Sequence, residues 1–567
     1  MNPQRYDIVI VGGGAAGCVL ANRLSADSGT RVLLIEAGND FEPGKEPAAI
    51  RDRGVRTTRL PQYYWPGLLF TDGPRRGPFM QARVMGGGSS INGMHAQRGV
   101  PRDYDEWRQL GIVGWGWDDV LPYFKRLERD IDFDTPDHGQ DGPITVQRVP
   151  QKDWSSFSRA FQDALSDRNV PPLADINTQA GDGSGPVPLN IGESSRLSSA
   201  IAYLTPSIRR RSNLAIRAST EVLRVILVGG MVTGLELVSG EIISTGQVIV
   251  CAGAIHSPAL LQRSGIGPGA KLKEAGVSVA LDLPGVGRNL RNHPIVTVSS
   301  HLKPRGRQRN KRVRPPSTMI ARYSSNVAGT QPTDMLLTIW ERNLGPLEVD
   351  PLGGQLSQSM VILNKPYSHG EVGLTSGAPM GPPTINAACL SDPRDLERMV
   401  LGFKMVCDIL SSNPVGSFVN HSFVANISMG KPPDLLTARV LQDNITAKLL
   451  SAVGAVAMDL LPMFRNGMMN RVGSSVSSIL ADADNLPAFV KSIVYPGGHP
   501  GGTCQMGPKN QTSAVVDSRC RVWGVEGLRV VDASIFPTLM SGGTNIPTMM
   551  AAEKAADLIL EDRNANL

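Results

Sequence analysis

The sequence predicts a mixed α/β protein: a parallel-sheet domain assembled from separate stretches of chain, capped by a discontinuous second domain with an antiparallel sheet. Three observations predict it. Residues 6–11, 31–35, 247–251 and 528–532 are continuous β-rich runs, as expected of strands buried on both faces. The first two are joined by a glycine-rich turn and an apolar-faced helix, a βαβ unit. Between about 296 and 490 the pattern changes to alternating strands mixed with helices, and no such turn recurs. The parallel-sheet domain is assigned 1–150, 213–295 and 495–567; the cap is assigned 151–212 and 296–494.

Taken in order, the strand at 6–11 breaks at Gly12-Gly-Gly14, and Val19, Leu20 and Leu24 mark one face of the helix that follows. The strand at 31–35 is closed by Glu36. Residues 40–100 are rich in Pro and Gly and read as a long irregular segment, a length that points to function. Helical periodicity returns from Asp103 to about Glu128, with Trp107, Leu121 and Phe124. Residues 213–252 read as a β-meander, and a helix begins at Gly253. In the cap, 334–339 and 360–363 read as strands and 392–410 as a helix. A final helix is expected from about Pro547 to Leu560.

The 567 residues are too many for one core, and 41% hydrophobic with 19% charged residues excludes a disordered chain. A net charge of +6 is mild for this size. One basic cluster, from Lys303 to Arg314, has the charge to contact an anion, a membrane surface or nucleic acid, but reads as a solvated mobile loop; with no aromatic residue interleaved, base stacking does not suit it. The six cysteines, at 18, 251, 389, 407, 504 and 520, have neither zinc-ligand nor Cys-x-x-Cys spacing, so no metal is expected and a reducing, cytoplasmic setting is. The longest apolar run, around 449–463, contains Asp459 and is too short to span a bilayer, so no stable membrane association is expected.

Gly12-x-Gly14-x-x-Gly17 between strand and helix, with Glu36 ending the next strand, is a dinucleotide fingerprint. Gly12 permits the tight turn, Gly14 lets backbone approach a pyrophosphate, and Gly17 allows close helix packing. Phosphates would meet free N–H groups and the positive end of the helix dipole. Glu36 can accept from a ribose and would repel a 2′-phosphate, which argues against NADP; the motif alone leaves FAD and NAD open. A second element, Arg83-Val-Met-Gly-Gly-Gly-Ser-Ser-Ile-Asn-Gly93, offers unshielded backbone donors between apolar flanks. A third, Gly253 to Gly267, reads as structural. Near the C-terminus come Gly497-Gly-His499-Pro-Gly-Gly and Ser541-Gly-Gly-Thr-Asn545-Ile-Pro-Thr548. Alone, each reads as a turn; after a dinucleotide fingerprint, a His and an Asn in this setting suit a redox site.

These motifs, in this order, resemble the glucose–methanol–choline (GMC) flavoprotein oxidoreductases. The likeness runs from Asp7 to about Leu560. Arg98-Gly-Val-Pro-Arg-Asp-Tyr-Asp-Glu-Trp107 and Leu390-Ser-Asp-Pro-Arg-Asp-Leu396 are most similar to bacterial hydroxymethylfurfural- and aryl-alcohol-oxidase-like members. The resemblance implies FAD. It implies that Gly12, Gly14, Ala15, Ala16, Gly17, Glu36 and Ala37 hold the ADP half, with a backbone contact from Val222 to adenine. It places Val84, Gly87, Asn92 and Gly93 along the flavin, Asp532 and Ala533 near the ribityl–pyrophosphate, and Asn545, Pro547 and Thr548 at the helix start beneath the flavin. Some members attach FAD through a His just before the asparagine of the second element; here that residue is Ile91, which implies dissociable FAD.

The resemblance further implies oxidation of a primary or secondary alcohol, aromatic, furanic or allylic, to the aldehyde or ketone. His499 would be the base, Asn545 the donor to the developing alkoxide, and flavin N5 the hydride acceptor, with O2 reoxidising FAD and giving H2O2. A dehydrogenase using a quinone or other acceptor is the alternative, and a flavin-containing lyase or photodecarboxylase the more distant ones. Gly498 stands where the furfural-type relatives carry a bulky aromatic, so a pocket formed by Gly498, Leu363 and His95 is expected to admit branched alcohols. Gly543 stands where Asn is common.

Overall fold

The computed structural model describes residues 6–54, 60–310, 313, 315–342, 353–425 and 445–565. Its parallel sheet has five strands in the order Leu528–Val530, Val248–Val250, β1 (Ile8–Val11), β2 (Val32–Ile35) and Leu214–Arg217. β1 pairs in parallel with β2 and with Val248–Val250. Every residue of these two neighbours of β1 is buried, which is why they lack the alternation of a half-exposed strand. Helix α1 (Ala15–Leu24) crosses from β1 to β2 and packs against the C-terminal helix, Asn545–Ala565.

Several elements differ from the sequence reading. The 213–252 segment is only partly a meander: 222–228, 231–237 and 242–244 form a three-stranded antiparallel sheet, while the strands on either side join the parallel sheet. The helical stretch after residue 100 is two helices, Pro101–Gln109 and Trp117–Leu127, because Gly111 and Gly114 take positive φ (87° and 79°), which a right-handed helix cannot continue. The irregular 40–100 segment holds a hairpin, Leu69–Asp72 with Arg75–Pro78, turned at Gly73-Pro74. It pairs with Thr384–Asn386 of the cap.

The cap is built on an eight-stranded sheet. Its order is Gly473–Ser475, Val419–Ala425, β3 (Pro294–Leu302), Leu356–Leu363, Met335–Trp340, Ser317–Tyr323 and Gly183–Pro186, with Tyr495–Pro496 also paired to the start of β3. All of these pairings are antiparallel. The helix Pro393–Ser411 covers one face. Two large apolar cores result, one around the parallel sheet and one around the cap sheet. Leu68, Phe70 and Phe79, from the first stretch, pack into the cap core; Tyr203 and Leu204 pack into the parallel-sheet core. Among the described residues, no helix is long and apolar enough to cross a membrane.

Candidate functional site

The fingerprint turn sits at the carboxyl end of β1. Gly12 has φ +105°, and a Cβ there would lie 2.4 Å from Cys251 O. A Cβ on Gly17 would lie 1.9 Å from Gly12 O, so helix and turn touch. Gly14 is different: its nearest neighbour would be Cys251 O at 3.8 Å, which leaves its outer face free for a ligand. Ala15 and Ala16 open the helix behind it. Glu36 accepts from Gly13 N–H (2.8 Å) and Gly38 N–H (2.7 Å), one bond to each oxygen. Burial, opposed by those two bonds, raises its pKa to about 7. Each carboxylate oxygen keeps a second acceptor position for a ribose hydroxyl.

The second glycine-rich element is stacked directly on the fingerprint. Gly86 N–H donates to Gly13 O (2.7 Å), Met85 N–H to Asn39 O (2.9 Å), and a Cβ on Gly87 would meet Gly14 Cα at 2.8 Å. Val84 is buried beside Ile91 in a small cluster with Ile50 and Tyr63. Ala37 lies between Glu36 and Gly38, and Thr220 N–H donates to Glu36 O (2.9 Å), which brings the strand headed by Val222 alongside. Asp532 accepts from Gly253 N–H (2.8 Å), Ser257 Oγ (2.6 Å) and Ser534 N–H (2.8 Å). It thereby ties the third glycine-rich element and Ala533 to the end of the parallel sheet. Asn545, Pro547 and Thr548 lie in the first turn of the C-terminal helix, which begins two residues earlier than expected. Pro547 is tolerated there because its missing N–H would have had no intrahelical partner.

A dinucleotide fits these residues. The free face of Gly14, the open space at Gly88, where a Cβ would meet nothing within 4 Å, and the buried Asn545 Nδ2, which makes no hydrogen bond among the described residues, are features of a cradle.

His499 is brought to the site by strand pairing. Residues 289–295 run antiparallel to 495–502: Ile295 pairs with Tyr495, Gly497 N–H donates to His293 O (2.9 Å), and Arg291 and Gly501 exchange bonds (2.9 Å each). Asn292 Oδ1 accepts from both His499 N–H (3.1 Å) and His293 N–H (2.9 Å). The two imidazoles therefore meet Nδ1 to Nδ1 at 3.0 Å. His499 is half-buried, and desolvation pushes its pKa down to about 4. His293 is fully buried and held well below the ordinary range, by burial first and then by the charges of His499 and Lys365. Both rings are neutral at pH 7.

The other nitrogen of His499 faces Gly543: a Cβ there would lie 3.6 Å from Nε2 and 3.8 Å from Gln97 Oε1. Gln97 Oε1 accepts from Gly543 N–H (3.2 Å). The Gly543 loop is clamped from outside, since Ser541 N–H donates to Asp103 (2.6 Å) and Lys365 bridges Asp103 (3.2 Å), Glu106 (2.8 Å) and Leu539 O (2.6 Å). His95 borders the same region: its Cδ2 would be 3.8 Å from a Cβ on Gly93. Burial, then the charge of His499, lowers its pKa to about 4. Gly498 is exposed, and a Cβ on it would meet nothing within 4 Å. Leu363 is fully buried in the cap core. The Asn92 carbonyl accepts from Arg196 (2.7 Å), fixing the end of the second element.

Sequence reasoning missed His293, Gln97, Asp103 and Lys365. For His293 a signal was present, the polar run Asn289-Leu-Arg-Asn-His293 leading into a strand. A separate buried cluster, Glu128, Asp130 and His138, has metal-like spacing, with ligand atoms within 4.8 Å of one another. It is occupied by cations of the chain itself: Arg98 pairs with Glu128, and Arg148 with Asp130 (2.9 Å) and Asp175 (2.7 Å).

Models of the GMC oxidoreductase family match residues 6–295 and 366–552. The chain is 38% identical to a 5-(hydroxymethyl)furfural oxidase of Methylovorus sp. (strain MP688), with 99% of each chain covered. It is 31% identical to an oxygen-dependent choline dehydrogenase of Vibrio vulnificus (strain YJ016), over 98% of this chain and 94% of the other. The crystal structure of pyridoxine 4-oxidase from Mesorbium loti superposes with a TM-score of 0.77 at 29% identity, covering 98% of this chain and 99% of that one.

Proposed function

Since the chain belongs to the GMC oxidoreductase family, we propose that it is an FAD-dependent alcohol oxidase acting on a primary or secondary alcohol of aromatic, furanic or allylic type. The observation that carries this reading is His499, with Nδ1 fixed on His293 and Nε2 turned to the Gly543 loop. Bound FAD supplies the hydride acceptor.

The chain's own residues handle the proton. For Nε2 of His499 to accept the hydroxyl proton, the ring's own proton must sit on Nδ1. His293 Nδ1 then accepts from it, which leaves the His293 proton on its other nitrogen. Once His499 has taken the substrate proton, its Nδ1–H keeps the same partner, so no reorientation is needed. Asn545, with its unpartnered Nδ2, is the donor to the alkoxide oxygen, and the Gln97 carboxamide borders the space that a side chain at 543 would fill. Free N–H groups at the start of the C-terminal helix favour negative charge on a bound cofactor.

Oxygen is the acceptor in this reading, giving H2O2. FAD is held without a covalent bond, because Ile91 offers no nucleophile; acid denaturation should leave yellow flavin in solution, and flavin precipitating with the chain would contradict this. The cofactor domain comprises 1–150, 213–295 and 495–567, with the 68–79 hairpin assigned to the cap and Tyr203 and Leu204 to the cofactor domain on their packing. Six unpaired, buried cysteines support a cytoplasmic setting. The test is anaerobic addition of a benzylic alcohol, expected to bleach the flavin absorbance; readmitting air should restore it with one H2O2 per turnover. Flavin that no such alcohol bleaches would end this reading.

A further inference from the structure

Two helices at the edge of the cap sheet, α2 (Ile445–Leu460) and α3 (Pro462–Val472), form a hairpin with only Leu461 between them. Its underside is anchored. Ser451, Ala455 and Met458 are buried at helical spacing, and Met458 and Met469 pack with Leu356 and Phe423 of the sheet. Its outer side is apolar and uncovered among the described residues. Leu449 is 62% exposed, Val453 67%, Leu460 71% and Met463 91%, joined by Leu450, Val456, Leu461 and Phe464. The turn itself reads Leu460-Leu-Pro-Met-Phe464, with every residue exposed. Soluble surfaces rarely carry so contiguous an apolar patch without a partner.

The flank of this crest is cationic. Asp459, the residue before it, is gripped by Arg307 (Nη1 to Oδ2, 2.9 Å), so the basic loop beginning at Lys303 touches the root of the hairpin at Arg307. Arg305 and Arg309 of that loop are exposed, as is Arg471; Arg465 donates to Met458 O (3.1 Å) at the same turn. The acids facing the loop are Asp459, paired as described, Asp153, which accepts from Asn310 (3.0 Å), and Glu341, which accepts from Gln308 (2.9 Å). Lys311, Arg312 and Arg314 lie outside the described residues.

We propose that the hairpin is an interfacial membrane anchor, its apolar crest entering the acyl boundary of an anionic bilayer while Arg305, Arg309 and Arg471 meet the headgroups. An apolar helix face beside a basic segment is the pattern of interfacial binding, which needs no spanning helix. The expectation of no membrane association rested on the lack of a spanning segment and does not bear on this mode. A second copy of the chain suits the crest less well: a convex tip with Met463 at its summit needs a facing concavity, and the exposed cations beside it would repel their symmetry mates. The anchor is remote from the cleft. β3 links His293 to Leu302 beside Arg307, and its nine residues span roughly 25–30 Å.

The test uses the FAD-loaded enzyme and vesicles of phosphatidylcholine with or without phosphatidylglycerol. Sedimentation should carry the enzyme down with the anionic vesicles, less so at high salt. The triple variant Leu460→Ser, Met463→Ser, Phe464→Ser should bind at least about tenfold more weakly, with unchanged turnover of a soluble alcohol. Because all six cysteines are buried, Met463→Cys can be labelled selectively with an environment-sensitive fluorophore. A blue shift on adding anionic vesicles is expected. No sedimentation and no shift would overturn the proposal. So would a dimer of the wild-type enzyme, in the absence of lipid, that the triple variant dissociates, since the crest would then be an interface between copies.

Discussion

His293 and His499, 206 residues apart, share a hydrogen bond between their Nδ1 atoms at 3.0 Å. Two like nitrogens can bond only when one carries the proton and the other does not. With the proton on His499, the outward Nε2 of that ring is an acceptor; with it on His293, Nε2 is a donor and the base is lost. The pair is a tautomer lock.

Replacing His293 by Ala should therefore lower kcat for alcohol oxidation by about ten- to a hundredfold, as loss of a group that orients a functional His does. His293→Asn, whose Oδ1 can accept from Nδ1, should recover part of the loss. FAD absorbance should be unchanged in both. If Ala and Asn variants are equally impaired, His293 matters for packing and not for the proton position.

The depressed pKa of His499 sets the acid limb of the pH profile. The base works in its neutral form, and burial lowers its pKa from 6.5 to about 4. Lowering favours the neutral form, so kcat/KM should stay level from pH 7 down to about 5 and fall only as pH passes through about 4. A limb centred near 6.5 would mean that the ring is solvated like a free imidazole.

A different sign applies to His138. Burial opposes charge on this ring, but Asp130, Asp175 and Glu128 outweigh it and raise its pKa to about 10. A raised folded-state pKa gives stability that is fully present below the unfolded value of 6.5 and is lost as pH climbs through about 10. Tm should decline across that window, and His138→Gln should flatten the decline. Equal slopes in both proteins would show that the ring is not charged when folded.

Gly498 offers a test of substrate choice. A side chain there would meet no protein atom within 4 Å. Gly498→Trp should therefore fold, and should penalise an α-methyl benzylic alcohol more than the unbranched one. One lost or blocked apolar contact is worth about 1–3 kcal/mol, so the ratio of kcat/KM values should move by tens- to a hundredfold at most. An unmoved ratio would show that position 498 does not face the substrate.

How much of this was legible in the sequence follows from how local each feature is. The fingerprint, Glu36 and the first βαβ unit are written in contiguous residues, because a buried parallel strand and a tight glycine turn each constrain the residues that form them. The Gly73-Pro74 turn was equally local but was hidden by the surrounding Pro and Gly. His293 was not legible as a partner of His499, since only the pairing of 289–295 with 495–502 brings the rings together. In the sequence Gly543 is only a glycine standing where Asn is common; in the fold it lies opposite His499 Nε2, a relationship no periodicity encodes. The apolar run at 449–463 was visible, but whether its outer face is covered depends on how the hairpin lies on the sheet.

The central claim, that His499 removes the hydroxyl proton, is tested most directly by His499→Ala in anaerobic stopped flow, following flavin reduction by a benzylic alcohol. The account predicts a protein that keeps its FAD but whose flavin is reduced at least about a hundredfold more slowly, as loss of a general base requires. Flavin reduction at a rate close to that of the wild type would contradict it.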